Sequence, residues 1–149
     1  MAASAKLRPQ SLGPGVRPST MGYHALDPAD LPASPDHPCD RRSLTEAADL
    51  ATLAAAVYTL APGETLAQEY HYHDQREELF YVLSGTLHVE TPEREYEVEP
   101  DETFVVEPRS PIRPYNPEEA DGQVRVLGVG APKFDIGRPY DPDVEGAPE

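Results

Sequence analysis

From Ala54 to Ala131 the chain is cut into short apolar runs by turn residues at nearly even spacing, and this cadence constrains the fold more than any other feature. An amphipathic helix needs a periodic apolar face over about ten residues or more, whereas a half-buried strand needs alternation over only about four to eight. Runs near 54–61, 67–73, 79–84, 86–91, 94–99, 103–107, 112–115 and 123–131 meet the second condition. Ser84-Gly85 and Thr91-Pro92-Glu93 mark tight turns between them. Short, evenly spaced strands of this kind predict an all-β barrel. At 149 residues the chain is long enough for one core with flanking tails.

One of these runs carries chemistry. In His71-Tyr72-His73-Asp74-Gln75-Arg76-Glu77-Glu78-Leu79-Phe80-Tyr81-Val82-Leu83-Ser84-Gly85, two histidines stand two apart, so on a strand they share a face. Glu78 opens the most apolar stretch of the chain, where a carboxylate without a partner would be costly. Two imidazoles and one carboxylate converging from neighbouring strands make a 2-His-1-carboxylate set, suited to a first-row divalent ion. Surface polar residues in a hairpin are the plainer alternative.

The same run resembles the first motif of the cupin superfamily: His-x-His, a short spacer, Glu, six residues and Gly. Here these are His71, His73, Glu78 and Gly85. Glu77 also fits the short spacer, but only Glu78 fits the spacing to Gly85. The family's preceding glycine corresponds to Gly63; seven residues separate it from His71 instead of the usual five, which predicts a bulge or a longer turn. The second motif corresponds to Pro100–Asn116 and is degenerate. Asp101 and Arg109 stand where glycines are usual, and Ile112 stands where a fourth metal ligand, a histidine, is usual. The resemblance implies a double-stranded β-helix (jelly-roll) barrel over residues 53–131. It also implies one divalent metal ion, whether Fe, Mn, Zn or Ni, a small-molecule ligand, and a homodimer.

Around the barrel, residues 1–20 are rich in Pro, Gly and Ser without periodicity, and disorder is expected there. Composition changes at Met21, which suggests a start at that residue. Residues 21–52 form an arm holding a capping box, Ser43-Leu44-Thr45-Glu46, which predicts a short helix from Leu44. Ala54-Ala55-Ala56 invites an extension of that helix, but Val57-Tyr58-Thr59-Leu60 and the Pro62-Gly63 turn fit the first barrel strand. Residues 132–149 contain Pro132, Pro139, Pro142 and Pro148 and form a tail that cannot continue a central strand.

Charge narrows the partners. Twenty-seven acidic residues against twelve basic ones leave a net charge of −15, which repels nucleic acid and anionic membrane. The acids are dispersed, and Lys6 and Lys133 are the only lysines. With a core of small residues, this composition reads as adaptation to a high-salt cytoplasm; an ordinary acidic protein is the alternative. No apolar run is long enough to span a membrane, and no secretory signal is expected. Cys39, the only cysteine, cannot form an intrachain disulfide, which fits a reducing cytoplasm.

If Glu78 faces inward, Phe80 and Val82 do too, while Leu79, Tyr81 and Leu83 face outward and need cover from the arm or a second subunit. Glu69, two before His71, is a candidate extra ligand, with a rim residue as the alternative. Arg113, Tyr115 and Asn116 are placed at a pocket mouth with Arg109, where arginine can hold a carboxylate or phosphate, with ion pairing to neighbouring acids as the simpler account. His88 alternates with core residues and is read as solvent-facing, and His37-Pro38-Cys39 is a weak metal signal. Three functions follow: a metal-binding cupin that binds, and in one version transforms, a small organic molecule; an Fe(II)-dependent dioxygenase; or a metal-free ligand-binding or regulatory barrel. Whether the chain is an enzyme is left open by the residues.

Overall fold

Strand alternation decides which side chains reach the core. The computed structural model describes residues 21–144, and in chain order its strands are β1 (Asp40–Ser43), β2 (Ala54–Leu60), β3 (His71–Tyr72), β4 (Glu77–Ser84), β5 (Leu87–Glu90), β6 (Glu95–Val98), β7 (Thr103–Val106), β8 (Arg113–Tyr115), β9 (Val124–Ala131) and β10 (Arg138–Pro139). They form an antiparallel jelly-roll barrel. One sheet runs β1-β2-β9-β4-β7, the other β6-β5-β8, and β10 pairs with β3. Leu60, Phe80, Val82, Val124 and Val126 from the five-stranded sheet meet Leu87, Val89 and Val98 from the three-stranded one, with Leu66 and Ile112. Burying a side chain of this size stabilises the fold by about 1.5–3 kcal/mol.

The arm is tied to the barrel more closely than its proline content suggests. Asp40–Ser43 pairs with β2, with Arg41 opposite Tyr58 and Ser43 opposite Ala56, and so covers an edge that would otherwise expose unpaired backbone groups. Helix α1 (Leu44–Ala48) follows at once. The Ser43 side chain accepts a hydrogen bond from the Glu46 N–H at 3.0 Å, and the chain turns out of the helix at Asp49, in the left-handed region. Ala54-Ala55-Ala56 then belongs to β2.

The strand expected over 67–73 is only His71–Tyr72. Thr65 bridges to Tyr115 and His71 to Ile112, so six steps along one side answer three on the other; Leu66 stays in the core and bonds Pro114, and residues 67–70 bulge out. In the tail, Arg138–Pro139 adds a two-residue edge strand beside β3, a place proline tolerates. The expectations for residues 1–20 and for the end of the tail lie outside the described residues. No helix among the described residues is long and apolar enough to cross a membrane.

Candidate metal centre and its cavity

The ligand set is assembled by two pairings. His71 is bonded to Ile112 in both directions (N–H to O at 3.1 and 2.9 Å), so the two side chains share a face, and Ile112 is buried in the core. His73 lies two further on and is 8% exposed. Glu78 comes from β4 and shares its inner face with Phe80 and Val82. Ligand atoms of His71, His73 and Glu78 all lie within 4.8 Å of one another, an arrangement that can hold a metal ion.

Backbone carbonyls orient both rings. The Nδ1 of His71 lies 2.9 Å from the Glu69 carbonyl and the Nδ1 of His73 lies 2.7 Å from the Asp135 carbonyl. A carbonyl only accepts, so each Nδ1 carries the proton and each Nε2 keeps its lone pair. The Nε2 of His73 faces the Glu78 Oε2 at 3.6 Å. Burial pushes the His73 pKa down, against the opposing pull of Glu78, and so favours the neutral imidazole that ligates metals. Arg76 sits beside the same carboxylate, its Nη1 3.5 Å from Oε2.

The tail completes the surround. The Asp135 carboxylate accepts from the backbone N–H groups of Gln75 and Arg76, which holds its pKa below the usual carboxylate range and fixes the carbonyl that His73 uses. Gly137 crosses His71 so closely that a Cβ there would lie 3.0 Å from its ring. Sequence reasoning missed Asp135, because its partners are 59 and 60 residues away and leave no periodic trace.

The two residues that stand for glycines of the second motif are in the left-handed region: Asp101 has φ 69° and Arg109 φ 63°. Each turn's backbone is tied in, Asp101 N–H to the Val82 carbonyl and Arg109 N–H to the His73 carbonyl. The glycine conformation is thus kept without glycine, at about 1–2 kcal/mol apiece. Gly85 at φ 76° admits no such replacement, since a Cβ would come within 2.5 Å of the Gln123 carbonyl.

The other residues singled out in the sequence occupy different settings. Phe80 is in the core and lines the cavity described below. Arg113 and Tyr115 alternate with buried Ile112 and Pro114 and therefore face outward, opposite Glu90 and His88. Arg113 pairs with Glu90 at 3.1 Å, and the Tyr115 hydroxyl bonds Glu95. Asn116 is buried, with its amide donating to the Leu60 and Gly122 carbonyls, and so braces a turn. Glu69 is exposed in the bulge, and only its backbone carbonyl serves the site. His88 shares the outer face with Tyr115 and Glu97. His37 and Cys39 both turn to the Leu66 carbonyl, and burial pushes the Cys39 thiol up to about 12. Among the described residues, His71, His73 and Glu78 are the one group with metal-ligand geometry.

Beside Glu78 the inner face of the five-stranded sheet opens into a cavity of about 300 Å³, lined by Arg41, Tyr58, Arg76 and Lys133 among others. Its floor includes Gly128 and Gly130, where a Cβ would lie 2.9 Å from the Tyr58 ring and from the Arg76 side chain respectively. None of these residues was legible as a site residue, since only the pairing of β1 with β2 brings Arg41 there.

Residues 56–130 match the cupin domain family model. The chain belongs to the cupin family. Among solved structures, this cupin resembles the polyketide cyclase RemF from Streptomyces resistomycificus, with a TM-score of 0.67 and 19% identity over 80% of this chain and 86% of that one. It also resembles a sugar phosphate isomerase from Silicibacter pomeroyi, at TM-score 0.56 and 22% identity over 63% of this chain; it spans only 59% of that protein's chain. KdgF from Halomonas sp. is matched at TM-score 0.57 and 18% identity, over 72% of this chain and 91% of that one. At these identities the likeness is one of fold. No curated protein matches the chain in sequence.

Proposed function

We propose that this cupin holds one divalent metal ion through the Nε2 atoms of His71 and His73 and the carboxylate of Glu78, and takes a small organic molecule in the barrel beside it. The observation that carries the reading is the contact of both Nδ1 atoms with backbone carbonyls. Both Nδ1 atoms are committed to carbonyls, so both Nε2 lone pairs are available within 4.8 Å of each other and of the Glu78 carboxylate. Such an ion would supply Lewis acidity at the positions the protein leaves open. Around it, Ile112 gives an apolar wall and Arg76 steadies the Glu78 carboxylate.

A second reading, an Fe(II)-dependent dioxygenase, draws on the buried isoleucine in the fourth place. Three protein ligands match the donor set of that enzyme class. Leu79, Leu83 and Val105 on the outer face are exposed, and the proposal includes a second copy covering them. The small-molecule reading is also in keeping with solved neighbours that are a polyketide cyclase and a sugar phosphate isomerase.

Metal analysis of purified protein tests the site. The parent chain is expected to carry close to one equivalent, and His71→Ala and His73→Ala each to lose most of it. Equal metal content in all three proteins would overturn the proposal.

A further inference from the structure

The cavity beside Glu78 gathers positive charge in a chain that has little. Arg41, Arg76 and Lys133, three of the twelve basic residues in a chain of net charge −15, line one space of about 300 Å³. With acids so abundant, cations left to themselves would pair at the surface. These are instead anchored largely by neutral oxygens. Arg41 Nη1 donates to the Ser34 hydroxyl at 2.8 Å, Arg76 donates to the Pro132 and Lys133 carbonyls, and Lys133 Nζ donates to the Leu50 carbonyl. Two carboxylates share the cavity, exposed Glu46 and Glu78, the latter shared between Arg76 and His73.

We propose that this cavity is an anion subsite, in which the Arg41 guanidinium and the Tyr58 hydroxyl, with Arg76 and Lys133 behind them, bind the carboxylate or phosphate group of a small organic acid. The register places Arg41 opposite Tyr58, both line the cavity, and the guanidinium lies close enough to the Tyr58 hydroxyl to interact with it. A guanidinium has five N–H donors; Arg41 places one on Ser34 and turns toward the Tyr58 hydroxyl, which leaves donors for a two-pronged grip on an oxyanion. Alanines at 54 and 56 line the cavity with small side chains, while Gly128 and Gly130 let Tyr58 and Arg76 pack close over its floor, and the volume is at the small end of ligand pockets. The link to chemistry rests on the proposed metal site: an acid held at Arg41 lies in the cavity that Glu78 lines and can extend toward the histidines.

The subsite is tested by calorimetric titration of the full chain with inorganic phosphate and, in a second arm, acetate. Saturable binding of at least one is expected, and the preferred anion distinguishes a phosphoester from a carboxylic acid. Arg41→Gln is expected to weaken that binding about tenfold or more and Tyr58→Phe about threefold, while metal content stays at the parent level. Arg41→Lys should recover part of the loss. His71→Ala separates the two ideas, because it removes the metal and should leave anion binding in place. Absence of saturable binding by the parent would overturn the subsite. So would binding that survives Arg41→Gln with the fold intact, or that disappears with His71→Ala. Failure of the metal site alone would show as parent protein without metal that still binds the anion.

Discussion

At the scale of single residues, Ile112 separates this chain from the usual second motif of its family. It is 2% exposed and pairs directly with His71, so its side chain shares the face from which the imidazole reaches the site. Ile112→His should therefore bring a further ring nitrogen to the ligand set. Metal affinity measured by competition with a chelator is expected to rise at least about tenfold, the factor that ~1.4 kcal/mol of added binding produces. Unchanged affinity would mean that position 112 does not face the metal. His71, His73 and Glu78 could be read from sequence because they fall within eight consecutive residues, where strand alternation and one turn settle their facing. Arg113, Tyr115 and Asn116 could not. Counting from Ile112 puts the first two on the opposite face, and only the packed structure shows which face is inside.

At the scale of elements, the five-stranded sheet buries one face and leaves much of the other open. Leu79 in β4 pairs with Val105 in β7 and with Val129 in β9, which makes a continuous outward row of branched apolar side chains. Val105 is 66% exposed: the arm adds β1 at the sheet edge and packs α1 against β2, whose outward Ala55 and Val57 are buried, but it leaves β4 and β7 open. The expected occupant is a second copy. Light scattering should report twice the chain mass for the parent, and Val105→Glu should give a monomer with unchanged far-UV circular dichroism, because a side chain 66% exposed in the single chain can carry a carboxylate into water. A monomeric parent at micromolar concentration would remove the dimer. The strands of the barrel were legible because each is short, alternating and bounded by turn residues. β1 and β10 were not, because Asp40–Ser43 and Arg138–Pro139 have no apolar alternation and exist as strands only by pairing with β2 and β3.

At the scale of the whole molecule, a net charge of −15 sets the solution behaviour. Dispersed carboxylates repel one another in the compact state more than in the expanded one, and salt shortens the range of that repulsion. The melting temperature is expected to rise by on the order of 5 °C or more between low salt and molar KCl, and a flat response would remove the salt-adapted reading. By itself the sequence determined the fold class, the order of the barrel strands, the cap of α1 and the histidine–carboxylate run. All of these rest on neighbours a few residues apart, where the geometry of strand, turn and helix end leaves few alternatives. Only the tertiary structure decided which carbonyls hold the histidine protons, that Asp135 and Gly137 close over the site, and that Arg41 and Tyr58 line a cavity with Arg76 and Lys133. Those contacts join residues tens of positions apart, and the closure of the barrel brings them together without any local pattern to announce it.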